Sequence, residues 1–325
     1  MNFLDINPNH IVKLDVYNKQ YKPVHVFDQD SIAAINAAIA AQRPLLIRGE
    51  PGTGKSQLAR AVAKQLKYAF FSFVVDSHCE SRDLLWHFDA VQRLADAQLG
   101  KALIEDTKDT KKIREILNID NYLSPGPLWW AFDWDDATTQ AGKLEQSAPI
   151  QSEDCSHENG CVLLIDEIDK AEMDVPNGLL EALGEGRFTP MGRKNSVSVK
   201  HHFPLVIITT NEERALPNAF LRRCLVLHLD LFNEKNDVLK ILIQRGKAHF
   251  PELDEQHVIK EAAQLLIKDR AEAKANQKFP LPGQAEFLDL LRAVDNLSTE
   301  GKGEPQELIH QVARYIMNKQ IGAKV

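Results

Sequence analysis

The stretch Leu45–Lys64, LLIRGEPGTGKSQLARAVAK, constrains this chain more than any other. Leu45, Leu46 and Ile47 form an apolar run that reads as a buried strand. It enters Gly49-Glu50-Pro51-Gly52-Thr53-Gly54-Lys55-Ser56, which satisfies G-x-x-x-x-G-K-[ST] at every fixed position. Leu58, Ala59, Ala61, Val62, Ala63 and Leu66 then recur at helical spacing. Glycines let backbone N–H groups turn inward around a phosphate with no Cβ in the way. The N-terminus of the following helix adds free donors and partial positive charge. In such a loop Lys55 is placed to reach the β- and γ-phosphates, and the Ser56 hydroxyl to ligate Mg²⁺. The alternative is an ordinary glycine-rich turn before a helix. It leaves the lysine, the serine and the two flanking elements as coincidences.

A chain of 325 residues has room for two domains and a large core. Its composition, 44% hydrophobic and 26% charged, is that of an ordinary globular protein. The formal net charge of −7 argues against a nucleic-acid-coating surface, so nucleic acid is not the expected partner. No apolar run approaches the length of a membrane span, and MNFLDINPNH lacks the basic start and apolar centre of a secretory signal. The expected location is therefore cytoplasmic, without membrane contact. Cys79, Cys155, Cys161 and Cys224 do not suggest a disulfide framework in a chain of this length. Cys155, His157 and Cys161 lie close enough to raise a zinc site, but no CxxC pair accompanies them, and reduced thiols in a polar loop are the favoured reading.

Taken in order, Val24–Phe27 is a short strand or a docking segment, and Ser31 reads as the N-cap of an Ala-rich helix that Pro44 stops. A second apolar strand covers Ala69–Val75. Residues 80–104 have mixed periodicity, consistent with a hairpin, a helix, or one passing into the other. Residues 105–115 form a charge run, read as a solvated face. The aromatics of Tyr122–Phe132 are either core or an exposed contact patch, and residues 133–160 read as a long acidic surface loop. Val162–Ile165 is a strand buried on both faces, as in a parallel sheet. A helix is expected to begin near Pro176, a β-hairpin over 187–201 with its turn at Gly192–Asn195, and strands over Phe203–Thr210 and Leu225–Leu229. Beyond Asp230 the pattern is helical, with helices near 234–248, 255–275, 284–296 and 305–319.

A phosphate loop alone binds nucleotide; hydrolysis also needs a metal partner, a base for water and positive charge for the transition state. Asp166 and Glu167 stand at the C-terminal end of the 162–165 strand. Asp166 is placed to hold Mg²⁺ through water, and Glu167 to polarise the attacking water as general base. A solvated strand end is the plain alternative. Asn211 ends the next apolar strand, where its amide either orients the water or merely satisfies a turn.

Four stretches, GEPGTGKS, LLIDEIDKA, TTN and ALPNAFLRRC, occur in the order seen in AAA+ ATPases. Over roughly residues 25–325 the chain resembles the MoxR group, within the clade that carries an insertion in helix 2. The resemblance implies an α/β P-loop core, a parallel sheet between helices, over residues 1–232, followed by a small all-α lid at 233–325. It implies that Gly49, Glu50, Pro51, Gly52, Thr53, Gly54, Lys55, Ser56 and Gln57 bind ATP together with Asp166. Ser56 and Asp166 would serve Mg²⁺. Glu167 would be the base, Asn211 the polar sensor, and Arg223 the arginine finger acting on nucleotide in a neighbouring subunit, with Arg222 the adjacent candidate. Residues 84–130 would be the helix-2 insert that grips a client, and 187–201 the hairpin preceding the sensor strand. The chain departs from the pattern at the third lid helix. An arginine is usual at its start, whereas this chain reads Leu281-Pro282-Gly283-Gln284-Ala285-Glu286, with Arg292 about two turns on.

The function this implies is ATP hydrolysis at the subunit interfaces of a homo-oligomeric ring, usually hexameric. The ring would remodel or activate a partner protein with a von Willebrand A-like domain. Two other classes stay open: a nucleotide-gated assembly scaffold with little turnover, favoured by the missing lid arginine, and a DNA-directed NTPase motor.

Overall fold

The computed structural model describes residues 2–15, 23–104, 115–233, 236–254 and 257–317. In chain order the strands and helices are β1 (Ile11–Lys13), β2 (Val24–Val26), α1 (Gln29–Ala41), β3 (Leu45–Arg48), α2 (Lys55–Leu66), β4 (Tyr68–Val74), β5 (Trp86–Phe88), α3 (Ala90–Ile104), β6 (Leu123–Pro125), α4 (Pro127–Phe132), α5 (Trp134–Gly142) and β7 (Ser156–Asp166). There follow α6 (Asp174–Glu185), β8 (Arg187–Phe188), β9 (Val197–Ser198), β10 (Leu205–Thr210), α7 (Asn218–Leu221), β11 (Leu225–His228), α8 (Val238–His249), α9 (Val258–Ala275), α10 (Gln284–Thr299) and α11 (Pro305–Ile316). The chain divides into two compact units. One comprises Met1–Ile6, Asp30–Arg48 and Ala59–Leu227; the other Asn7–Gln29, Gly49–Leu58 and His228–Val325.

The first unit is α/β and is built on a five-stranded sheet of order β11-β3-β10-β7-β4. β10 runs parallel to β3, with Thr210 opposite Arg48, and parallel to β7, with Ile208 opposite Ile165. β4 is parallel to β7 and brings Val74 opposite Asp166. Strands covered on both faces read as near-continuous apolar runs, broken here only by Thr209 and Thr210 at the end of β10. All six residues of β10 are accordingly buried, as are Leu45–Ile47 of β3 and Cys161–Ile165 of β7. Because the strands are parallel, Arg48, Asp166 and Thr210 close them at one edge, where an open α/β sheet carries its ligand-facing groups.

Several expectations need correction here. Ser31 is not an N-cap: α1 starts at Gln29 and Ser31 is buried inside its first turn. The stretch 133–160 is not one loop. Asp133 caps α5 by accepting the N–H of Asp136 at 3.0 Å, and α5 buries Ala137, Gln140 and Ala141. Gln140 Nε2 donates to the carbonyls of Asp120 and Leu123 at 2.6 and 2.7 Å. A helix whose buried face is alanine and glutamine gives almost no hydrophobic periodicity, which is why it read as loop. β7 also begins at Ser156, earlier than its apolar run, because pairing with β4 reaches back past a register shift to Tyr68. α6 starts at Asp174, so Pro176 is its third residue, where an N–H would have no helical partner anyway.

The aromatic stretch is core: all six residues of α4 are buried, and Trp129 is among the largest fully enclosed side chains. β5 and β6 pair antiparallel at the base of residues 84–130, with Leu84 and Leu123 fully buried. Between them α3 carries exposed Val91, Leu94 and Leu99. Most of the charge run, residues 105–114, lies outside the described residues. The 187–201 hairpin is present, with Phe188 paired to Val197. Cys161 and Cys224 sit in the core of this unit, whereas His157 stacks on Trp134 at 5.5 Å between ring centroids. Among the described residues no group of three His, Cys, Asp or Glu is placed to hold a metal ion.

In the second unit β1 pairs antiparallel with β2, a partner not expected from the sequence. The helices α8–α11 bury Leu242, Val258, Ile259, Leu266, Phe287, Leu291 and Ile309 in a common core. α8 begins at 238 rather than 234 because Asp237 accepts the N–H of Lys240 at 3.1 Å and caps it there. No helix among the described residues is long and apolar enough to cross a membrane.

Candidate nucleotide site

The loop Gly49–Gly54 leaves β3 at the ligand-facing edge of the sheet and runs into α2. Its shape depends on glycine at two points. Gly49 has φ +154°, and a Cβ there would lie 2.5 Å from the Leu229 carbonyl oxygen. Gly52 has φ +78°, and a Cβ there would lie 2.7 Å from Cβ of Ala285. Any other residue would be strained and would displace its neighbour. Lys55 is buried and donates from Nζ to the carbonyls of Gly49 and Glu50, at 2.7 and 3.0 Å. Thr53 Oγ1 also donates to the Glu50 carbonyl, at 3.0 Å. Ser56 and Gln57 occupy the first turn of α2, half-buried.

The same unit shows what stands at the place of the missing lid arginine. Gln284 opens α10 and is buried, its Oε1 accepting from the Arg245 guanidinium. Burial pulls the Arg245 pKa below its ordinary value, against the opposing charge of Asp28. Arg292 pairs with Asp289 at 2.9 Å. Arg270, which nothing in the sequence singled out, holds both carboxylate oxygens of Glu50, at 2.7 and 2.8 Å.

In the first unit Asp166, Glu167 and Asn211 come together through residues that lie in the quoted motifs but were given no role of their own. Thr209 is fully buried; its hydroxyl donates to Asp166 Oδ1 and accepts the Glu167 N–H at 3.0 Å. Glu167 leaves the strand in the left-handed region, φ +61°, which turns its side chain out of the β7 line. One Glu167 oxygen accepts from Asn211 Nδ2 at 3.3 Å, and the other is held by Lys170 Nζ. That hydrogen bond, with the Glu167 charge, raises the Lys170 pKa. Asp169 is buried and accepts the N–H groups of Asn211 and Glu213, at 3.4 and 2.9 Å, so it fixes the turn that presents Asn211. Glu212, at φ +61° in that turn, pairs with Arg48. A carboxylate held by an amide, beside a second carboxylate anchored to a hydroxyl, can orient and deprotonate a water once the ammonium on its other oxygen lets go.

Arg222 and Arg223 follow α7 and are both exposed. Among the described residues it is their backbone carbonyls that are engaged: Arg43 donates to both. The two guanidinium groups thus sit on a backbone pinned from within the unit.

A family model described as AAA domain (dynein-related subfamily) matches residues 44–224. No curated protein matches the sequence. Among solved structures, a candidate ATPase from Cytophaga hutchinsonii matches with 16% identity over 90% of this chain and 81% of its own, at a TM-score of 0.35. A point variant of RuvB from Thermotoga maritima matches with 15% identity over 89% of this chain and 69% of its own, at a TM-score of 0.45.

Proposed function

Because the chain belongs to the AAA domain family, dynein-related subfamily, we propose that it is an ATP-hydrolysing member of that family, of the MoxR type, which acts on a partner protein from an oligomeric ring. The observation that carries the reading is the Asp166–Glu167–Asn211 arrangement beyond the strand ends of a sheet whose β3 runs into an intact phosphate loop.

The roles follow from the chemistry of each group. Gly49–Gly54 and the N-terminus of α2 offer N–H donors to phosphates, and Lys55 would exchange its two carbonyl partners for phosphate oxygens. A serine hydroxyl and a carboxylate form the hard-oxygen donor set that Mg²⁺ prefers, so Ser56 directly and Asp166 through water would hold the ion. Bound Mg²⁺ supplies charge neutralisation on the phosphates. Glu167 takes a proton from water, and Asn211 holds that carboxylate in place. Glu167 would act as the base once Lys170 Nζ releases its second oxygen. Arg223, with Arg222 beside it, would stabilise transition-state charge in an adjoining copy. Residues 233–325 would serve as the lid, and the exposed apolar face of α3, within 84–130, as the surface offered to a client with a von Willebrand A-like domain. A scaffold with little turnover is the second reading, supported by Gln284 standing where an arginine is usual.

The test is steady-state ATP turnover across protein concentration for the wild-type chain and Glu167→Gln. Removing a general base typically costs ~10²–10⁴-fold in rate, while ATP binding should persist. Wild-type turnover per subunit should rise with concentration as a ring forms. Turnover that survives the substitution removes Glu167 as the base; negligible wild-type turnover at every concentration favours the scaffold.

A further inference from the structure

Glu50 is the one acidic side chain in a loop shaped to surround a polyanion. A carboxylate in that place repels the phosphates that the loop's N–H groups attract, unless something neutralises it. Arg270 does so at both oxygens. The guanidinium is fixed on three sides. It donates from its other terminal nitrogen to the Pro282 carbonyl at 2.9 Å, and it lies 3.8 Å from the centroid of the Phe232 ring. Its side chain is 12% exposed, against 50% for Glu50, so the arginine is the fixed member of the pair. Both bonds to Glu50 come from one nitrogen, Nη2, while Nη1 is held by the Pro282 carbonyl, so the planar guanidinium serves a carboxylate and a carbonyl at once with its donors already aimed. The same Glu50 supplies the backbone carbonyl that Lys55 and Thr53 share. Neutralising its side chain and holding its main chain are therefore one act.

We propose that Arg270 is a positioning residue for phosphate binding: it neutralises Glu50 and holds the Gly49–Ser56 loop in the form that receives a nucleoside triphosphate. The inference rests on the reading of that loop as a nucleotide site. It assigns to α9 a charge that the start of α10 lacks, delivered through the loop's own carboxylate. At an effective dielectric near 20, a bare unit charge a few ångströms from a phosphate is sufficient to change affinity by about tenfold or more.

Equilibrium binding of Mg²⁺-ATP to the full chain tests this. Arg270→Met should weaken binding about tenfold, ~1.4 kcal/mol. Adding Glu50→Gln to that variant should restore affinity to within about threefold of Glu50→Gln alone, because the charge needing neutralisation is gone. A merely structural arginine would show no such rescue. The inference is overturned if Arg270→Met binds like wild type, or if the double variant stays as weak as the single one. Should Arg270→Met melt out at the assay temperature, Arg270→Gln is read in its place with and without Glu50→Gln, and absence of either the tenfold loss or its rescue overturns the inference. A wild-type chain that binds no ATP overturns the nucleotide reading and this inference together; wild-type binding with an indifferent Arg270→Met overturns this inference alone.

Discussion

Thr209 has one hydroxyl between an acceptor, the Asp166 carboxylate, and a donor, the Glu167 N–H. Asp166 can only accept, so the proton goes there, and a lone pair is left for the Glu167 N–H. The side chain thereby fixes the order of two adjacent acids, one anchored at the strand end and one turned away from it. Thr209→Val keeps the shape and removes both bonds. It should destabilise the chain by ~1–3 kcal/mol, measured by urea unfolding, and cut ATP turnover about tenfold or more, whereas Thr209→Ser should stay close to wild type in both. Loss in the serine variant with the valine variant close to wild type would show that the methyl group, not the hydroxyl, matters. The sequence announced Lys55, Ser56, Asp166, Glu167 and Asn211 because motif spacing ties each to a chemistry. It hid Thr209 inside an apolar run, and Asp169 among the surface-looking acids of IDEIDKAEMD, although Asp169 is buried and holds the turn. Arg270 was invisible for another reason. Its partner is about 220 positions away, beyond anything local spacing can report.

At the scale of elements, the β8–β9 hairpin was legible from its turn residues, but what holds its tip was not. Gly192 turns with φ +75°. Arg193 beside it pairs with Asp136 at 2.9 Å, and its guanidinium carbon lies 4.9 Å from the Trp129 ring centroid. Trp129 Nε1 donates to the same carboxylate at 2.9 Å. Burial pushes the Asp136 pKa up, but the bond and charge of Arg193, with the Trp129 N–H, outweigh it and hold the carboxyl below its usual range. Three elements thus meet at one acid: the hairpin, α4 and α5. Arg193→Ala leaves a part-buried carboxylate with half its partners and should cost ~1–3 kcal/mol in a chemical-denaturant melt. The acid's contribution is present above its unfolded pKa and disappears as pH falls through the lowered folded value, so the wild-type advantage over the variant should shrink on acidification. The strands of the parallel sheet could be read because a doubly covered strand is a near-continuous apolar run. α5 could not, since its packing relies on alanine and a hydrogen-bonded glutamine.

For the molecule as a whole, acid stability should be set by two half-buried imidazoles in the second unit. Burial, then the charges of Arg245 and His249, lowers His25 to about 3. Burial, then Arg292 and Arg245, lowers His249 to about 4. Both rings are neutral in the folded chain at neutral pH and take up a proton on unfolding below their ordinary value of 6.5. The unfolded state then binds more protons, so stability falls as pH drops from 6.5 toward 4, by up to ~1.4 kcal/mol per pH unit for each ring. Urea midpoints between pH 7.5 and 4.5 should show that slope, and His25→Gln should flatten it; a midpoint unmoved over this range removes the imidazoles as the cause. The enclosed core of the first unit has a consequence of a different kind, for chemical labelling. Burial drives Cys161 and Cys224 to about 12, and burial with nearby acids drives Cys79 to about 11. Thiols that stay protonated are poor nucleophiles. In the native chain at pH 7.5, a maleimide should therefore spare all three and modify at most Cys155. Adding urea should release the other three in step with unfolding, which makes the alkylation pattern, read by mass spectrometry, a native-state clock that needs no engineered probe.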